Sequence, residues 1–311
     1  MADQIANNAE VARVGVDKFY SIFKQNQNVL YPKFGFMDEK TTQEFIRMYQ
    51  EGGFGYAPTV SESTPIPTDT FKTINNKDYY WVKRGLGYKC SLEKLETDQY
   101  GIMKRVSKKM ARAMEATKDS TAANVFNNMT STGASYVGPD GVALVSASHT
   151  YDGGTWSNRG VDTGGSSNVD VDLSQPTIEL AIQKNMDVVN YRGIPDAVRG
   201  PFKLFVPTAL TGLANRIVFS NLVAGSNAND TNKFINGLIT EVVPNNFFTD
   251  PDAFLLISTS QDERGLFMLK QGSQRVTKKM YEETEEVAFF LTEKWLFHHF
   301  DARGVWGTAG A

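Results

Sequence analysis

The chain is 311 residues long, 41% hydrophobic and 22% charged, with a formal net charge of −3. This is globular composition with material for one large core or two modest ones, and it excludes a disordered or fibrous chain. One cysteine, Cys90, excludes an intramolecular disulfide framework and a cysteine-built zinc site, and no apolar run approaches the ~20 residues of a membrane-spanning helix.

These limits point to a soluble protein in a reducing cytoplasm with no membrane partner. The opening Met1-Ala2-Asp3-Gln4 does not read as a secretory leader. Residues 1–50 read as helical pieces: Val11, Val14, Phe19, Ile22 and Phe23 recur at helical spacing, and Phe45, Ile46 and Tyr49 extend the pattern to a stop at Gly52-Gly53. They do not make a compact domain by themselves and read as an arm lying on another surface. In residues 52–92, Pro58, Pro65 and Pro67 sit among Ser and Thr, ahead of the strand-forming run Asp78–Arg84. A two-stranded projection fits, and such a ribbon needs a partner surface to be stable.

The strongest helical signal runs from Leu95 to Met129. Ile102, Val106, Met110, Ala113, Thr117, Thr121 and Val125 fall on one stripe, with Lys104, Lys108 and Arg112 on the opposite face beside Arg105 and Lys109. About 30 residues at the α-helical rise give a rod of about 45 Å, closed by Gly133. Residues 133–175 are rich in turns. A compact α/β pattern follows, with helices over Gln175–Asn190 and Pro207–Phe219 and strands at Phe202–Val206, Leu238–Val243 and Ala253–Ile257. The stretch Gly265–Val305 reads as long strands with apolar runs at Val287–Leu291 and Trp295–Phe300.

The sequence lacks a G-x-x-x-x-G-K-[ST] phosphate loop, a strand-turn-helix G-x-G-x-x-G, H-E-x-x-H and a G-x-S-x-G elbow. His298 and His299 are adjacent in an expected strand, which would send them to opposite faces and away from a shared metal. His149, near Asp152, is the starting point for an enzyme with a dispersed site. Asp162, Asp170 and Asp172 read either as a calcium site or as a solvated acidic turn, and their spacing fits no calcium loop. The expectation is no catalytic, cofactor-binding or metal-ligating residue.

Between Lys77 and Lys118 stand eleven Lys/Arg against five Asp/Glu, a local net of +6 that leaves −9 on the rest of the chain. The face formed by Lys104, Arg105, Lys108, Lys109 and Arg112 is either an ordinary solvated surface or a surface for sequence-independent contact with phosphate. It carries no stacking aromatics for base recognition.

In order, an arm, a Pro-rich loop, a long helix, an irregular excursion, a compact α/β unit and closing strands make up the chain. Ser63-Thr64-Pro65-Ile66-Pro67 lies in the loop, and Gly85-Leu86-Gly87-Tyr88-Lys89 through Thr97-Asp98-Gln99-Tyr100-Gly101 leads into the helix. Ser146-Ala147-Ser148-His149, Gly153-Gly154-Thr155 and Ser157-Asn158 mark the excursion, and Phe205-Val206-Pro207 and Asn236–Pro244 the α/β unit. Together they resemble the HK97-fold major capsid proteins of tailed phages, with the nearest likeness to Mu-like major head subunits.

The resemblance implies an α+β fold with an N-terminal arm (1–51), an E-loop (52–92), a P-domain with a spine helix (93–175), an A-domain (176–264) and closing P-domain strands (265–311). It implies a chain that partners itself in pentamers and hexamers, forming an icosahedral shell around double-stranded DNA bound without sequence preference. Pro58, Pro65, Pro67, Phe71, Lys72 and Lys77 would then belong to an intersubunit loop. Portal, scaffolding and decoration proteins would be further partners, in a virion assembled in the host cytoplasm. The expectation is that no long, charged scaffolding region stands ahead of the arm, so that scaffolding comes from a separate protein or has been removed, and no local motif carries over the Lys–Asn cross-linking of some relatives. The alternatives are an encapsulin-like compartment around a protein cargo and an enzyme centred on His149 and Asp152.

Overall fold

The computed structural model describes residues 14, 17–25, 29–71, 73–97, 101–162, 168–196, 200–222, 232–259 and 265–310. Among the described residues, two sheets of more than two strands are built around one long helix, α3 (Ile102–Asn127). At 26 residues this helix is about 39 Å long. It begins after Gly101, whose left-handed backbone (φ 62°) suits glycine, and the short helix α2 (Leu92–Glu96) ends before it. The continuous helix expected from Leu95 is therefore two pieces.

The first sheet is organised by β14 (Glu286–His299). Along one edge it pairs antiparallel with β4 (Val82–Ser91). Along the other it pairs with β13 (Arg275–Tyr281) and β12 (Leu266–Gln271), placed end to end, and β1 (Met37–Thr41) lies parallel outside β12. Alternation along β14 sends Val287, Phe289, Leu291, Trp295 and Phe297 into a core with Met110, Ala111, Met114, Ala122 and Phe126 of α3. The opposite face is half covered by a ribbon of β2 (Phe45–Glu51) and β3 (Thr73–Tyr80), which packs Ile46, Met48 and Tyr79 on Phe267, Leu269 and Leu296.

The second sheet runs β10 (Ile239–Asn245), β9 (Phe202–Pro207), β11 (Phe254–Ser258), β15 (Val305–Thr308). It buries Phe202, Leu204, Val206, Phe254, Leu256 and Trp306 against α4 (Gln175–Met186), α5 (Thr211–Phe219) and α6 (Lys233–Leu238). Ser174 caps α4, its side chain accepting from Thr177 N–H with proline in the first turn. The other face of the second sheet closes the first core, where the Phe126 ring of α3 lies 5.4 Å from Phe34 and 6.2 Å from Phe205 of β9.

Several sequence expectations are corrected. Phe45, Ile46 and Tyr49 are in a strand, because the segment alternates with period two and β3 supplies a hydrogen-bonding partner. The ribbon thus takes one strand from the expected arm. The buried face of α3 lies about one residue away from the expected stripe: Ala113 is exposed, while Ser107, Glu115, Lys118 and Asp119 are buried. Leu238 ends α6 instead of starting a strand, α4 stops at Met186, and Pro207 precedes a 3-10 turn (Thr208–Leu210) ahead of α5. At the end of the closing segment, β15 pairs with β11 in the second sheet.

Phe126→Ala removes the ring that packs α3 against the second sheet. It is expected to destabilise the subunit by about 3–5 kcal/mol, read as a lower urea midpoint of the unassembled chain.

Candidate assembly surfaces

Helical residues 17–25 lie across α3 and are fastened there by a buried ionic cluster. Lys118 Nζ sits 2.8 Å from Glu115 Oε1 and 2.6 Å from Glu293 Oε2. Lys24 Nζ, from the arm, is 2.8 Å from Glu293 Oε1, and Tyr20 donates its hydroxyl to the same oxygen at 2.8 Å. Burial works against the Glu293 carboxylate, yet the two ammonium groups outweigh it and hold its pKa at about 2. Lys118 is opposed by burial in the same way and raised by its two carboxylates. Beside this cluster, Asp119 accepts from the Leu30 and Tyr31 amides, and Trp295 donates to Thr121. Sequence reasoning misses the cluster because it assigns charged residues to the solvent side of α3. The available signal is the break in charge periodicity at Glu115, Lys118 and Asp119.

Turned away from the sheet, Lys104, Arg105, Lys108, Lys109 and Arg112 are all exposed. Among the described residues none of the five is ion-paired with a carboxylate. Lys104 and Lys108 hold their ammonium groups 6.0 and 5.8 Å from the rings of Phe19 and Phe23, so the arm helix flanks this face without neutralising it. The sequence and the structure agree on one exposed strip of single sign.

The loop between β2 and β3 exposes Pro58, Pro65, Pro67 and Phe71, with Tyr56 76% and Ile66 80% accessible. Its base is tied by Asp69, which accepts from Gly55 N–H and from Arg192. Lys72 lies outside the described residues. Lys77 is turned inward, donating to the Ala134 and Val137 carbonyls of its own chain, with its pKa lowered by burial. It is therefore not part of the exposed loop surface.

The three histidines converge instead of standing apart. His298 and His299 do not point to opposite faces: their rings stack with centroids 4.9 Å apart at the end of β14. Tyr79 covers His298 at 4.8 Å and donates to the His299 carbonyl. His149 stacks on Trp156 and binds Asp140 through Nδ1 at 2.8 Å; no hydrogen bond joins it to Asp152, which is exposed. The ring is closed off from solvent, which argues against the enzyme reading. Asp170 is held by Arg159 and Thr308 Oγ1, and the described residues contain no group of three His, Cys, Asp or Glu able to hold a metal.

Beyond these surfaces, comparison with known proteins decides the family. The sequence profile of the phage capsid protein family matches residues 76–309. The chain belongs to that family. No curated protein sequence matches it. Among solved structures, the capsid of a native GTA particle aligns with a TM-score of 0.58 at 11% identity, covering 92% of this chain and 93% of that one. Microbacterium phage Oxtober96 gives 0.53 at 12%, with 92% of each chain covered. The SrpI encapsulin from Synechococcus elongatus PCC 7942 gives 0.52 at 9%, covering 90% of this chain and 87% of that one. These likenesses are of fold: an α+β chain with the HK97-like major capsid architecture. The chain is a structural protein of the phage shell, a major capsid protein of the virion.

Burial lowers the pKa of His298 and His299 below the usual value near 6.5. The unfolded chain therefore takes up protons first as pH falls through 6.5, so stability present above that pH is lost below it, by at most about 1.4 kcal/mol per pH unit per histidine. Glu293, held at about 2, contributes stability that is present above its ordinary 4.5 and is lost only below that pH. The urea midpoint of the unassembled subunit is expected to fall between pH 6.5 and 5, and His299→Gln to flatten that slope. A pH-independent midpoint would contradict the neutral buried pair.

Proposed function

We propose that this capsid protein assembles through pentamers and hexamers into a closed icosahedral shell around double-stranded phage DNA, in the cytoplasm of a bacterial host. The observation that carries the reading is the 52–71 loop, which presents large apolar side chains to solvent while its base is fixed on its own subunit. Such a surface is costly on an isolated protein and is satisfied by a neighbouring copy. The strip Lys104, Arg105, Lys108, Lys109 and Arg112 faces the packaged DNA and meets its phosphates without reading sequence. Scaffolding, portal and decoration proteins are separate partners of such a shell. The chain itself is non-enzymatic, since its histidines are packed into the core and serve structure. A second reading, a compartment around a protein cargo, is favoured by the likeness to the encapsulin; the contents of purified particles separate the two.

Two tests follow from this reading. Replacing residues 56–70 with a short Gly-Ser linker should leave a folded subunit that no longer closes into particles under the electron microscope. Particles of normal shape would remove the loop from the interface. Changing Lys104, Lys108 and Arg112 to Gln should spare the shell but lower nuclease-protected DNA several-fold. It should also reduce the salt slope of DNA binding by about 0.9 for each phosphate no longer neutralised, about 3 for the triple variant. Undiminished DNA would show that this face meets something else.

A further inference from the structure

Between the second half of α3, β4 and the end of β14 lies a cavity of about 130 Å³. Its polar walls include Arg84, Thr121, Asn124, Tyr136, His298 and His299, and its lining includes no carboxylate. Arg84 is half-buried with its guanidinium 5.0 Å from the Trp295 ring, and among the described residues it has no carboxylate within ion-pair distance. Burial lowers its pKa, the mark of a cation losing water without gaining a counter-charge.

A second observation stands apart from the arginine. His299 is fully buried and neither of its ring nitrogens has a hydrogen-bond partner. A neutral imidazole carries one N–H and one acceptor, and buried polar atoms are almost always satisfied. The other polar wall groups are partly engaged: His298 bridges to the Ser135 carbonyl, Thr121 accepts from Trp295, and Asn124, exposed at the rim, accepts from Asn128 through Oδ1, which leaves its Nδ2 as a donor. What is left facing the space is a surplus of positive and donor character. On this measure a water needs roughly 10–15 Å³, so the cavity has room for a group of several heavy atoms.

We propose that this cavity is a binding site for one anionic oxygen group, a carboxylate or a phosphate, held by the Arg84 guanidinium and the Asn124 side-chain amide above the histidine pair. A planar guanidinium takes either group through two parallel hydrogen bonds. The anion comes from one of two sources: free phosphate in solution, or a carboxylate side chain of a second copy in the shell. The second source rests on the shell reading above, and the first does not.

The test compares thermal unfolding of the folded, unassembled protein in sodium phosphate and in sodium chloride of equal ionic strength at pH 7.5. Particle assembly of the same preparations is then scored by electron microscopy. If free phosphate is the ligand, the wild type gains about 3 °C or more in a saturable way, and Arg84→Gln abolishes the gain. Asn124→Asp, which plants a carboxylate in the wall, abolishes it too while the protein stays folded by circular dichroism. If a neighbour's carboxylate is the ligand, phosphate has little effect, but both variants fold and assemble at least ten-fold less efficiently, and Arg84→Lys restores part of the loss. A non-saturable phosphate effect shared by Arg84→Gln, with assembly unchanged in both variants, overturns the site. Failure of the wild type to form particles would instead count against the shell reading, leaving the phosphate arm to judge the cavity alone.

Discussion

Lys118 is the residue on which the arrangement turns. It is fully buried midway along the long helix, held between Glu115 one turn before it and Glu293 of the central strand. Removing ammonium and carboxylate groups from water costs several kcal/mol per ion, which only close geometry and balanced charge can offset. Here the balance is two ammoniums against two carboxylates, and the second ammonium, Lys24, comes from the arm. Helix, sheet and arm are thereby tied at one point, and the helix cannot rotate or slide without stranding a charge.

Because that cluster fixes which side of α3 faces inward, it also fixes what faces outward. The five cations from Lys104 to Arg112 are left as an uninterrupted strip, away from the sheet. On the other side of β14, the ribbon of β2 and β3 is seated by Tyr79 against Phe267 and the stacked histidines. The apolar loop it carries then extends from a rigid base. One buried ionic contact and one aromatic seat thus position two surfaces of opposite character on a single subunit.

The general plan is legible in the sequence, and the parts that depend on distant partners are not. The long helix shows in its length and periodicity, and the loop in its prolines. Phe45, Ile46 and Tyr49 mislead because three apolar residues fit either period, and only the pairing with β3 decides between them. The inward face of α3 misleads because Glu115, Lys118 and Asp119 count as surface residues until Glu293, some 175 positions later, is placed beside them. The stacking of His298 on His299 and the passage of β15 into the second sheet likewise arise from tertiary packing that no local pattern records.

The most direct measurement of this account is the urea stability of two variants of the unassembled chain. Lys118→Met leaves two buried carboxylates facing one ammonium, and it should cost about 3–5 kcal/mol. Adding Glu115→Gln restores the balance, with Glu293 still paired to Lys24, and should recover most of that loss. A single variant as stable as the wild type, or a double variant no better than the single, would contradict the claim that a balanced buried charge cluster holds arm, helix and sheet together.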